Sequence, residues 1–152
     1  MTRILFVCTG NTCRSPMAEA ILREMGIQGL EVRSAGVFAQ DGSAASRNTI
    51  DVLKEQGIES DHRSSMLTDE LINWTNYIFT MTNGHKESVI RMFPHAADKT
   101  FTLKEFAGKE ADGDISDPFG GPIEVYRETY TEIHSLITEI IHKLKGEDSG
   151  GA

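Results

Sequence analysis

The sequence predicts an α/β fold, a three-layer sandwich in which a parallel, twisted sheet carries helices on both faces. Three observations point there. Short β-branched and apolar runs alternate with amphipathic segments, the pattern of βαβ units joined by right-handed crossovers. The first apolar run is unbroken, as a strand buried on both faces requires. A short polar loop follows it directly and leads into a helix start, which places an anion-binding loop beyond the carboxyl end of the first strand.

The elements follow in order. Arg3 to Val7 is the first strand. Pro16 suits the first turn of a helix, where its missing N–H costs no bond, and Ala18, Ile21, Leu22 and Met25 recur at helical spacing up to a stop at Gly26. Glu31 to Gly36 is a second strand, and Ala44 to Gln56 a second helix with Ile50, Val52 and Leu53 inward. Thr68 opens a short helix through Trp74, Tyr77 to Met81 is a third strand, and Asn83 to Met92 is the next helix. Thr100 to Leu103 is a fourth strand. Glu105 to Pro122, rich in glycine and acids, is a surface loop of the length that usually carries function. In the final helix Tyr126, Tyr130, Ile133, Ile137, Ile140, Ile141 and Leu144 share one stripe. One domain over residues 1–146 is expected, with 147–152 as a frayed tail.

Composition narrows the function classes. A chain of 152 residues buries roughly two-thirds of its unfolded surface and needs no staple. Its two cysteines lie in one loop and build no disulfide framework, and the first residues lack the basic and apolar regions of a secretory signal, so a reducing cytoplasm is expected. No apolar run reaches the length of a membrane span. The net charge of -8 repels nucleic acid and anionic membrane alike, so attraction to an anionic substrate has to be local. His85, His95, His134 and His142 form no ligand grouping.

The chemistry concentrates in Cys8-Thr9-Gly10-Asn11-Thr12-Cys13-Arg14-Ser15. A loop that runs into a helix N-terminus points its amides inward and adds the positive end of the helix dipole. Arg14 adds a planar fork that holds two oxygens of a phosphate or arsenate at once. The same field is expected to lower the Cys8 pKa and make its thiolate a nucleophile beneath the anion. Cys8 is also consistent with a small buried hydrophobe that ends a strand. Ser15 has two readings, as a hydroxyl that supports the Cys8 sulfur or as the cap of the first helix. A thiolate attacking phosphorus needs a proton donor for the leaving group, and Asp117 in Asp117-Pro118-Phe119 is the candidate, although an aspartate before proline is also an ordinary turn. Phe119 offers an apolar wall. Cys13 either packs under the loop or condenses with an oxidised Cys8 and protects it.

Together, the run from Cys8 to Glu19, Ser34-Ala35-Gly36 and Asp117-Pro118-Phe119 resemble the low-molecular-weight protein tyrosine phosphatase family over nearly the whole chain. The resemblance implies a four-stranded parallel sheet and no metal or organic cofactor. It implies a phosphocysteine on Cys8, transition-state stabilisation by Arg14, and Asp117 as acid and then base. Thr9, Gly10, Asn11, Thr12, Cys13 and Ser15 would complete the substrate loop, with Asn11 in a left-handed conformation and Ser34 and His62 supporting it. His62 as a plain surface residue is the alternative.

Tyrosine-specific members usually carry an aliphatic residue at the position of Thr12, and often paired tyrosines or a tryptophan where this chain has Phe119-Gly120. Thr12 with Phe119-Gly120-Gly121 is similar to the bacterial protein arginine phosphatase branch. A hydroxyl can meet the N–H groups of a phosphoguanidinium that an aliphatic side chain would leave unpaired. The expected partners are therefore phosphorylated proteins bearing phosphoarginine, met by a cytoplasmic monomer, with neither nucleic acid nor membrane involved. The alternatives are a tyrosine phosphatase of the same family, an arsenate reductase, which the lack of further cysteines disfavours, and a non-catalytic anion-binding module.

Overall fold

The computed structural model describes residues 1–109 and 114–150, with side chains as far as Gly146. Among these residues four parallel strands, β1 (Thr2–Cys8), β2 (Leu30–Gly36), β3 (Tyr77–Thr80) and β4 (Thr100–Thr102), form one sheet in the order β2-β1-β3-β4. The order reverses between β1 and β3, so the crevice at their carboxyl ends is where an open sheet of this type takes a ligand.

β1 alternates, and its alternation builds the two outer layers. Ile4, Phe6 and Cys8 face a core shared with Met17, Ile21 and Leu22 of α1 (Arg14–Glu24), Val52 and Leu53 of α2 (Arg47–Glu55), and Ile133, Ile137 and Ile140 of α6 (Ile123–Gly150). Leu5 and Val7 face the other way, onto Ile72 of α3 (Asp69–Trp74) and Val89 of α4 (Asn83–Met92). Cys8 is thus the last inward residue on the α1–α6 face. The expected four-stranded, three-layer architecture is the observed one.

Boundaries shift where local hydrogen bonds outcompete hydrophobic pattern. β4 ends at Thr102 and not Leu103, because Thr102 and Glu105 form a reciprocal capping box that starts α5 (Leu103–Phe106). The expected loop from Glu105 to Pro122 therefore opens inside a helix, and its residues 110–113 lie outside the described residues. A 3-10 turn, Pro94–Lys99, precedes β4. α2 starts at Arg47 behind the Ser46 cap. α6 continues to Gly150, where a tail was expected from residue 147, because a single glycine at position 146 costs only about 1 kcal/mol relative to alanine and does not stop a long helix. Residues 151–152 lie outside the described residues. Among the described residues no helix is long and apolar enough to cross a membrane.

Gly36 closes β2 and lets the loop after β1 lie against it. A Cβ at this position would stand 2.4 Å from the Thr9 carbonyl oxygen and 2.9 Å from the Asn11 amide nitrogen, both backbone atoms. Gly36→Ala is therefore expected to destabilise the protein by about 1–3 kcal/mol through overpacking. An unchanged urea midpoint would show that the loop yields freely.

Candidate active site

The loop from β1 to α1 winds around a pocket of about 250 Å³ lined by Cys8, Thr9, Gly10, Thr12, Cys13, Arg14, Asp117 and Phe119. α1 begins at Arg14 with Cys13 in the cap position and no side-chain cap, so its first amides are left to the pocket. Ser15 is consequently not the helix cap. Its hydroxyl sits 2.8 Å from Cys8 Sγ and also accepts from Asn11 Nδ2 at 2.8 Å.

Cys8 itself is only 3% exposed. Burial pushes its thiol up, opposed by the Ser15 hydroxyl and amide, the Arg14 charge and the Asn11 amide. The direction is opposite to that expected from the loop alone, because the sulfur ends an inward-facing strand position and is cut off from water. The stabilising field is nonetheless assembled around it.

Arg14 reaches across to the other wall. Its Nη1 donates to the Ile115 carbonyl at 2.7 Å, and its Nη2 lies 3.6 Å from Asp117 Oδ2. Further bonds tie the Asp117 segment to the end of β3, from the Ile115 amide to the Met81 carbonyl and from the Asn83 amide to Asp114 Oδ1, both at 2.8 Å. Asp117 stays half exposed and accepts from the Phe119 amide at 3.1 Å, and Phe119 is 75% exposed.

Beneath the loop lies a buried polar network. Asn11 has φ 58°, and its Nδ2 donates to Ser34 Oγ at 2.9 Å while its Oδ1 accepts from the Ser65 amide at 2.9 Å. The Ser34 hydroxyl donates to Glu19 Oε1 at 2.6 Å, and His62 bridges the Asn11 carbonyl at 2.8 Å and Glu19 at 3.2 Å. His62 is thus a buried link and not a surface residue. Burial pushes the Glu19 carboxyl up, but His62, Ser34 and the Arg23 charge outweigh it and hold the pKa below its ordinary value.

Cys13 is a free, buried thiol that donates to Ser46 Oγ at 3.5 Å and lies 3.7 Å from Tyr126 OH. Ser46, through its amide, also donates to the Thr12 carbonyl at 2.8 Å, which docks the start of α2 on the loop.

Two residues escaped the sequence. Glu19 reads as one more helix acid. His85 carries no motif, yet its Nε2 lies 2.8 Å from Thr9 Oγ1. The available signal was position, since a polar residue in the first turn after a strand sits at the carboxyl edge of the sheet. Burial, aided by the Arg14 charge, pushes the His85 pKa down to about 4 against the pull of Asp117 and Asp114. Among the described residues no group of three or more His, Cys, Asp or Glu is arranged to hold a metal ion.

A thiol at the floor of an amide-lined loop, an arginine beside it and a carboxylate on the opposite wall define a cysteine-dependent phosphatase. The chain belongs to the low molecular weight phosphotyrosine protein phosphatase family, whose model matches residues 3–149. It is 57% identical over 145 residues to a protein-arginine-phosphatase of Geobacillus stearothermophilus, covering 95% of this chain and 97% of that one. The solved YwlE arginine phosphatase from Geobacillus stearothermophilus superposes with a TM-score of 0.95 at 55% identity, covering 100% of this chain and 98% of that one. A YwlE variant with a phosphorylated active-site serine superposes at 0.88 and 42% identity, over 95% of this chain and 96% of that one.

Two buried groups, His85 and Glu19, contribute to the acid limb of stability. His85 takes a proton near 6.5 when unfolded and near 4 when folded, so in that window the unfolded chain binds more protons and stability falls with falling pH. The Glu19 contribution is full above its unfolded value of 4.5 and is lost as pH falls through the lower folded value. His85→Gln should flatten the fall of the urea midpoint between pH 6.5 and 4, and Glu19→Gln the fall below it. Slopes identical to wild type would contradict these assignments.

Proposed function

We propose that the protein is a protein arginine phosphatase that works through a phosphocysteine on Cys8. Support comes from one pocket in which Thr12 shares the lining with Cys8, Arg14 and Asp117, and from the arginine phosphatase relatives. The sulfur attacks phosphorus as a thiolate. Burial that raises the free thiol also strips water from the sulfur, while the Ser15 hydroxyl and the α1 amides meet its charge when it serves as leaving group in the second step.

The phosphoryl oxygens are held by the amides from Thr9 to Arg14 and by the Arg14 fork, which gain most as charge builds in the transition state. Asp117 gives its proton to the guanidine nitrogen as the P–N bond breaks. It then takes a proton from the water that attacks the phosphocysteine, releasing inorganic phosphate and restoring Cys8. Thr12 meets the N–H groups of the guanidinium, Phe119 flanks the aliphatic stem, and Cys13 is the thiol with which an oxidised Cys8 condenses. The protein acts on phosphorylated proteins in the cytoplasm.

Peptides carrying phosphoarginine are expected to be hydrolysed far faster than matched phosphotyrosine peptides, with all activity lost in Cys8→Ser. Comparable or reversed rates would refute the substrate while keeping the enzyme class. Asp117→Asn should lower kcat by roughly a hundredfold or more, the loss of one general acid. Thr12→Ile should shift the ratio of kcat/KM toward phosphotyrosine by about tenfold or more. An unmoved ratio would remove Thr12 as the selector.

A further inference from the structure

His85 stands in the first turn of α4, at the carboxyl edge of the sheet, with its ring buried against the loop that follows β1. The Thr82 hydroxyl, which caps α4, accepts from the His85 amide at 3.0 Å and fixes the backbone there. The ring presents Nε2 to Thr9 Oγ1 at 2.8 Å, while Nδ1 is buried with no hydrogen-bond partner among the described residues. Thr9 directly follows Cys8 and lines the pocket shared by Cys8, Arg14 and Asp117.

These two nitrogens decide the tautomer. A neutral imidazole carries one N–H and one lone pair. With the proton on Nδ1, a buried donor would face no acceptor and lose its hydration without compensation. With the proton on Nε2, the donor is used at once by Thr9 Oγ1, and only a lone pair is left unmatched. Burial and the neighbouring Arg14 charge keep the second proton off the ring near neutral pH. A hydroxyl that accepts this bond still has its own proton to give.

We propose that His85 is a positioning residue: as the Nε2–H tautomer it donates to Thr9 Oγ1, fixes that side chain at the pocket wall, and directs the Thr9 O–H toward an oxygen of the bound phosphoryl group. The proposal rests on the loop being a phosphoryl site, as argued above. Because the ring is neutral, it contributes a directed dipole and leaves the positive charge of the site to Arg14. Thr9 then adds a side-chain donor to the backbone donors of the loop.

The test joins 15N NMR of the wild-type imidazole at pH 7 with binding of inorganic phosphate and hydrolysis of para-nitrophenyl phosphate. The expected spectrum is that of the Nε2–H tautomer. His85→Leu and Thr9→Val should each weaken phosphate binding and kcat/KM by about tenfold, the size of one hydrogen bond to a charged group, and the double variant should be no worse than either. His85→Gln, whose side-chain amide can place an N–H where Nε2 stands, should recover most of the loss. An Nδ1–H spectrum, a glutamine variant as weak as the leucine one, or losses that multiply in the double variant would overturn the proposal. If His85→Leu does not fold, the spectrum and the pair Thr9→Val and His85→Gln still decide. Tautomer and phosphate affinity are read without turnover of phosphoarginine, so an incorrect substrate assignment and an incorrect role for His85 give different results.

Discussion

A single backbone turn through positive φ at Asn11 lets the loop between β1 and α1 curl with its amides inward, and the surrounding structure is arranged to hold that turn. A non-glycine residue in this region is strained by steric contact of its Cβ, and asparagine tolerates it better than most. The strain is offset because the Asn11 side chain is fully buried and bonded on both ends, to Ser15, Ser34 and the Ser65 amide. Ser34 and His62 in turn converge on Glu19, so a charged carboxylate under the loop is satisfied from several sides. Such a network rigidifies when complete and is costly when one member is missing.

The rigidity has a chemical purpose in the pocket above. Donors aimed at a charge that has yet to form are effective only if they do not have to reorganise. Cys8 shows the balance involved. Its burial opposes the thiolate, while Ser15, Arg14 and the loop amides favour it, so the sulfur sits in a site built for charge that it does not carry cheaply in isolation. Arg14 also ties the two walls together, since its guanidinium donates to the Ile115 carbonyl just ahead of Asp117. The side chain that lines the pocket beside Cys8 therefore also positions the segment that carries the carboxylate.

Much of this was legible in order along the chain. The unbroken apolar run of β1, the polar loop and Pro16 gave the strand, the turn and the start of α1, and the stripe of α6 gave its buried face. An error fell where short-range hydrogen bonds compete with hydrophobic pattern, in the Thr102–Glu105 box that cuts β4 short, and the uncapped first turn decides between the two readings of Ser15 in favour of its contact with Cys8. The tail expected from residue 147 is helical as far as Gly150. Glu19 and His85 read as a helix acid and a lone histidine, because both acquire their roles only from what packs against them.

The sequence by itself determined the α/β class, the loop and the residue types of its chemistry, since periodicity and the spacing from Cys8 to Arg14 are local properties of the chain. Only the tertiary structure decided what surrounds that loop. Asp117 reaches Arg14 across 103 positions of sequence, His85 reaches Thr9 across 76, and the direction of the Cys8 pKa follows from burial between β1 and its covering helices. Desolvation and long-range hydrogen bonds depend on which segments pack together, and no local pattern records that.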